Sequence, residues 1–274
     1  MLPHAVHVHD DFDTALAGAA CAIVATPAAG LLESVARLPD RSTPVIWLSK
    51  GFAVDGDRVR LPHQAVAPLR AGGWGLLSGP SFAQEVAANA PTALTLAGSS
   101  LAFAEAWAAL LRDDTLRIYA SDDVAGVETG GAVKNVLAIA TGICDGLRLG
   151  DNARAALITR GLAEMSRLAE VLGGRRETLM GLSGLGDLVL TCTGGLSRNR
   201  QVGLLLAAGK GLAQIQAELG HVAEGIHAAK AVAALAEGAG VELPISAAVY
   251  RVLYEGWPPR EAVGALLRRE PARE

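Results

Sequence analysis

CAIVATPAAGLLESVARLPDRSTPVIWLSKG, residues 21–51, decides the fold class. CAIVAT (21–26) and VIWLS (45–49) are β-type runs, apolar on both faces, and LLESVARL (31–38) between them has helical periodicity. Strands of that kind belong inside a sheet covered by helices on each side. The same alternation continues outward, with AVHVH (5–9), WGLLS (74–78), TALTLAG (92–98) and LRIYA (116–120) as strands. SFAQEVAAN (81–89) and LAFAEAWAALLR (101–112) are the matching helices, and the first 121 residues are expected to form an open parallel α/β sheet, which makes an NAD-type fold a candidate.

From residue 122 the pattern changes to long helical segments with Gly or Asn at their ends. Only LVLTC (188–192) reads as a brief strand. The expected organisation is therefore a sheet domain over 1–121 and an all-α domain over 122–274, joined without a flexible linker.

Composition excludes several classes. The 274 residues carry a net charge of −4, with 51% hydrophobic, 19% charged and 4% aromatic residues. The basic residues form no long run, which argues against a nucleic-acid stripe or a polybasic membrane patch. The three cysteines, Cys21, Cys144 and Cys192, have no metal-binding spacing, so a reducing, cytoplasmic setting is expected. Met1 to Asp11 lacks the features of a signal peptide, and no apolar stretch suits a membrane span. His7 and His9 share a strand face with no third ligand; His4, His7 and His9 are read as solvated, and no metal is expected.

A dinucleotide fold should show a strand, G-x-G-x-x-G and a helix in order. Here Gly73-Trp74-Gly75 precedes a strand, and Gly184-Leu185-Gly186 lies in the helical half.

Five stretches carry candidate chemistry. GGAVKNVLAIATG (130–142) places Lys134 and Asn135 among small and aliphatic residues, where an unpartnered lysine costs several kcal/mol unless its ammonium snorkels outward. WLSKG (47–51) ends an apolar strand in Lys50, at the strand end where α/β sheets bind ligands; position alone favours a solvated lysine. In LSGPSFAQEVA (77–87), Gly79-Pro80 forces a turn and Ser81 can cap a helix begun by Phe82. GLGDLVLTC (184–192) makes Asp187 either a turn residue, the better reading without context, or the partner of an ammonium. In GGLSRNRQVGLLLAAG (194–209), Ser197 is a natural N-cap with Arg198 and Asn199 in the first turn. That is either an exposed cap or a phosphate cradle of fork donors and free N–H groups.

Taken in order, IVATPAAG, WLSKG, LSGPSFAQEVA, NAPTAL, the unbroken segment 128–165, GLSGLGDLVLTCTGGLSRNRQVG, VAEG and VELPI resemble the NAD(P)-dependent glycerol-3-phosphate dehydrogenases. The resemblance implies a Rossmann-type domain, an all-α domain and an active site between them. It implies reversible reduction of dihydroxyacetone phosphate to sn-glycerol 3-phosphate by NADPH or NADH, supplying glycerol 3-phosphate for phospholipid synthesis. A homodimer is kept as the candidate assembly. By motif, Lys134 is implied as the catalytic lysine, exchanging a proton with the C2 oxygen. Lys50 and Asp187 are its implied polar neighbours at the substrate, with Lys50 also facing the cofactor. Gly79 and Ser81 are implied at the substrate and Ala83 at the cofactor. Ser197, Arg198 and Asn199 are the implied phosphate turn, with Arg198 also near the cofactor, where Val222 and Glu224 add contacts.

The family pattern opens with a strand and a GAGxxG-type turn; this sequence matches from just after them, so a sheet without its first βαβ element is expected. The residue that would select NADH or NADPH falls in that element. The alternative is a non-catalytic homologue that retains phosphate-ligand binding or oligomerisation.

Overall fold

The computed structural model describes residues 5–56, 58–220 and 223–269. The chain opens with α1 (Phe12–Leu16), β1 (Ala22–Val24), α2 (Ala28–Ala36) and β2 (Val45–Trp47). A hairpin of β3 (Ala53–Asp55) and β4 (Arg58–Arg60) leads to α3 (Pro62–Val66). Then come β5 (Trp74–Ser78), α4 (Ala83–Ala87), β6 (Thr92–Gly98), α5 (Leu101–Leu111) and β7 (Leu116–Ser121). The helical half comprises α6 (Val124–Gly146), α7 (Asp151–Val171), α8 (Arg176–Leu179), a π turn (Leu182–Gly186), α9 (Asp187–Thr193), α10 (Arg198–Ala207), α11 (Leu212–Leu219), α12 (Glu224–Ala239), α13 (Pro244–Tyr254) and α14 (Pro259–Leu267).

The main sheet has the order β1-β2-β5-β6-β7. Its first three strands are parallel, as expected, but β6 runs antiparallel to β5 and β7 parallel to β6, so the sheet is mixed. The cause lies in the connections. Between β5 and β6 the only helix is the five-residue α4, about 7.5 Å long, which does not carry the chain back along the sheet. The eleven residues of α5 do so between β6 and β7. Leu31 and Val35 of α2 and Val66 of α3 pack on one face with Trp47, and Ala104 of α5 packs with Ile46 and Leu96 on the other.

Four expectations are corrected. AVHVH (5–9) forms no strand: Val6 and Val8 are exposed, and nothing covers either face of the run. LVLTC is helical within α9, burying Leu188, Thr191 and Cys192 at helical spacing while Val189 faces out; its β-branched composition misleads. The apolar strand CAIVAT is covered on one face only, because Ile23 on β1 is 51% exposed. The hairpin β3–β4 has no counterpart among the expected strands; its arms of three residues are too short for a periodicity signal.

α6 is the axis of the helical half, with residues 126–144 all buried and α7, α9, α10 and α12 around it. Its closest crossing is with α10: a Cβ on Gly142 would lie 2.1 Å from the Arg200 carbonyl oxygen, and one on Gly203 would lie 2.1 Å from that of Ile139. Backbone sits against backbone there, so neither side can yield. Gly203→Ala is expected to cost about 1–3 kcal/mol or more through overpacking, read as a lower urea midpoint; an unchanged midpoint would contradict so tight a crossing.

Candidate active site

Lys134 lies midway along α6, and the small residues around it let neighbouring helices close in, which leaves its side chain 8% exposed. The ammonium does not snorkel to solvent. It donates to Asp187 Oδ1 at 2.5 Å and to Thr191 Oγ1 at 3.0 Å. Asp187 opens α9, and Thr191, one turn later, returns its own hydroxyl hydrogen to the Asp187 carbonyl at 2.6 Å. That spacing of four residues aligns both side chains under the lysine.

Lys50, just beyond β2, closes the cluster from the sheet side. It donates to Asp187 Oδ2 at 2.7 Å and to the Gly79 carbonyl at 3.0 Å. Gly79 follows β5 with a φ of 140°, a conformation that L residues rarely adopt, and this turn aims its carbonyl at Lys50. One carboxylate, 1% exposed, thus bridges two ammonium groups. Each ammonium has three donors and two placed partners, so each keeps one donor for a ligand.

Burial, then the nearby Lys50, bring the Lys134 pKa down from 10.5 to about 8, against the opposing pull of Asp187. The linkage runs one way. Because the folded value lies below the ordinary one, the cost of burying this cation, roughly 3 kcal/mol, is present in full below pH 8 and is relieved as pH rises towards 10.5.

The neighbouring amides form a second linked set. Asn135 donates to the Gly131 carbonyl at 3.3 Å; Asn199 donates to Asn135 Oδ1 at 2.9 Å and accepts from the Gly225 N–H at 2.9 Å. α6, α10 and the start of α12 are thereby tied together beside Lys134. Ser197 caps α10 as expected, its Oγ accepting from the Arg200 N–H at 3.2 Å. Arg200 is committed to Asp145, with Nη2 at 2.7 Å, whereas Arg198 points into solvent. Glu224 opens α12; burial raises its pKa, while the Ala28 N–H at the start of α2 and Arg198 oppose the rise.

The structure therefore gathers Lys134, Lys50, Asp187 and Gly79 into one cluster, whose two lysines act electrostatically on Glu224 together with Arg198. Ser81 does not cap a helix: its Oγ donates to the Gly79 carbonyl at 3.1 Å, Phe82 takes the cap position, and Ala83 is the first residue of α4. The turn after Pro80 needs one more extended residue than the helical pattern suggests. The Asn199 side chain is occupied by Asn135 and Gly225, so any anion would meet its backbone N–H or its remaining amide hydrogen. Val222 lies outside the described residues. Nothing in the sequence signals Thr191 or Asn135 beyond their positions, four after Asp187 and one after Lys134. Among the described residues no cluster of His, Cys, Asp or Glu could hold a metal ion.

Two family models cover this arrangement. The model described as NAD-dependent glycerol-3-phosphate dehydrogenase N-terminus matches residues 1–104, and that described as the C-terminus of the same enzyme matches 123–264. The chain belongs to the NAD-dependent glycerol-3-phosphate dehydrogenase family. Within this family, the glycerol-3-phosphate dehydrogenase [NAD(P)+] of Thiobacillus denitrificans is 58% identical over 98% of this chain and 83% of its own length. The enzyme of the same name from Dechloromonas aromatica is 56% identical over 100% and 84%. The crystal structure of glycerol-3-phosphate dehydrogenase from Coxiella burnetii superposes with a TM-score of 0.92 at 45% identity, covering 97% of this chain and 82% of that one. Lys50 stands beyond the carboxyl end of β2, and Lys134 of α6 faces it across Asp187.

Proposed function

We propose that this chain reduces dihydroxyacetone phosphate to sn-glycerol 3-phosphate with NADH or NADPH, reversibly, and that Lys134 carries the proton. The observation that carries the assignment is the buried Lys134–Asp187–Lys50 cluster with one spare donor on each ammonium. NADH or NADPH, when bound, supplies the hydride. The residues present fit such a polar ligand: the hydroxyls of Thr26, beyond β1, and Ser78, at the end of β5, are buried without a hydrogen-bond partner at the carboxyl ends of their strands. Lys50, Ala83, Arg198 and Glu224 are assigned to the cofactor side, with Val222 proposed there from the sequence alone.

Lys134 donates its proton to the C2 oxygen as negative charge develops on it, and takes it back in the oxidation. A pKa near 8 suits both directions near neutral pH. Asp187 keeps the ammonium aimed, and Thr191 fixes the second of its hydrogens, so the third is left for the substrate oxygen. Lys50 holds the second oxygen of Asp187 in place and offers its own spare donor to the substrate. Gly79 and Ser81 shape the turn beneath it, and Ser197, Arg198 and Asn199 are assigned to the phosphate at the N-terminus of α10. Remote binding of the phosphate positions the carbonyl for reaction.

No feature of the cluster favours the non-catalytic alternative. We keep the division into a cofactor half, 1–121, and a substrate half, 122–274, and place the enzyme in the cytoplasm, where three free thiols are at home. No helix among the described residues is long and apolar enough to cross a membrane. A homodimer is the proposed assembly, tested by sedimentation equilibrium.

Loss of NADPH fluorescence on addition of dihydroxyacetone phosphate tests the activity; no loss with either cofactor would count against it. Arg198→Ala is expected to raise the KM for dihydroxyacetone phosphate about 10- to 100-fold while leaving that for unphosphorylated dihydroxyacetone unchanged, as loss of a charge-assisted contact implies. Equal changes for the two substrates would remove Arg198 from the phosphate.

A further inference from the structure

We infer that Glu128 and His63 form a latch that holds the Lys50 arm against α6, which makes Glu128 a positioning residue for the proton transfer. The inference rests on the role proposed for Lys134. The arm leaves the sheet after Trp47, carries Lys50, forms the β3–β4 hairpin and returns at α3. Phe52 and Leu61, on either side of the hairpin, are buried in the core of the helical half alongside Val133 and Val136. Two residues after Leu61, both available donors of His63 converge on one carboxylate. The His63 N–H donates to Glu128 Oε1 at 2.8 Å, and the ring Nδ1 lies 2.6 Å from Oε2.

Glu128 stands on α6, six residues and about 9 Å along the axis before Lys134. Its side chain is 1% exposed, and among the described residues both of its hydrogen-bond partners belong to His63, so an opened latch would leave a buried carboxylate unsatisfied. The His63 ring stacks on Trp74 at 5.9 Å, and Trp74 stacks on Trp47 at 5.9 Å, three residues before Lys50. The arm is thus pinned to the sheet at one end and to the helix of Lys134 at the other.

This geometry has an electrostatic consequence. The charged and titratable groups around Lys134 are Lys50 from the arm, Asp187 and Cys192 from α9, and Glu224 from α12. Of these, only Lys50 rides on the latched segment. Freed, Lys50 spends less time beside Lys134, its repulsion weakens, and Asp187 is left more fully to Lys134. Both changes favour the protonated lysine.

The test is the pH profile of kcat for dihydroxyacetone phosphate reduction, whose fall at high pH follows deprotonation of Lys134. Glu128→Ala is expected to move that fall upward by about half a pH unit or more, and His63→Ala to move it less in the same direction. Glu128→Gln, whose amide can still accept from the N–H and donate to a neutral ring, should restore the wild-type position. Glu164→Ala is the control: Glu164 is an equally buried carboxylate that accepts from the Ser246 N–H at 3.0 Å and caps α13. It should lower the melting temperature without moving the profile. His63→Ala, which keeps the backbone bond, decides the matter if Glu128→Ala does not fold. An unmoved profile in the latch variants, or an equal movement in Glu164→Ala, overturns the latch. Wild-type turnover in Lys134→Ala would instead overturn the role of the lysine on which the latch depends.

Discussion

Lys134→Ala is expected to lower kcat for dihydroxyacetone phosphate reduction by about 10²- to 10⁴-fold, the range supplied by a positioned general acid. The KM should change far less, because the phosphate contacts assigned to Ser197, Arg198 and Asn199 are untouched. Folding should survive. Asp187 still has Lys50 at 2.7 Å, and the variant no longer buries an ammonium whose pKa burial has brought down to about 8. Steady-state kinetics with a thermal melt alongside separates the two effects. A kcat within tenfold of wild type would remove Lys134 from the chemistry.

Asp187→Ala should be the most damaging change for the fold at this site. The carboxylate is the one group that both lysines share, so its loss leaves two cations facing each other with little solvent between them. Removing one partner of a buried ion pair typically costs about 3–5 kcal/mol, and here two pairs go at once. Activity falls for a separate reason. Asp187 is what opposes the fall of the Lys134 pKa; without it the value drops further, and a smaller share of the lysine holds the proton it should donate at neutral pH. Asp187→Asn keeps the shape and tests the charge alone: urea unfolding should still show a clear loss of stability, and kcat a clear fall at neutral pH with partial recovery in acid. Wild-type stability in both variants would contradict the bridging role.

Much of this was legible in the residues. The stretch 21–51 carries strand, helix and strand, and all three form within a few residues of where its pattern puts them, because apolar strands and an amphipathic helix write their periodicity directly, although β1 is covered on one face only. Lys134 stands out because it is a cation in an apolar helix, a placement with a physical cost that demands a partner. What stayed hidden depended on distant partners. Thr191 lies 57 residues from Lys134, and only the packing of α9 on α6 brings it under the lysine beside Asp187. LVLTC has strand composition, and its helical state is fixed by which of its residues find cover, a tertiary matter. The reversal at β6 follows from the shortness of α4, whereas the sequence pattern of a buried strand does not record direction. Glu128 reads as one more polar residue at the start of a helix until His63 is found beside it.

The central claim is that one lysine, held near pH 8 by burial and by Lys50, gives the proton in one direction and takes it in the other. The pH dependence of kcat measured in both directions on the same enzyme tests it most directly. Reduction needs the ammonium and should fall as pH rises through about 8; oxidation of glycerol 3-phosphate needs the free amine and should rise through the same pH. Mirror-image limbs that meet there are the expected result. Limbs that fall together, or a reduction rate flat to pH 10, would contradict it.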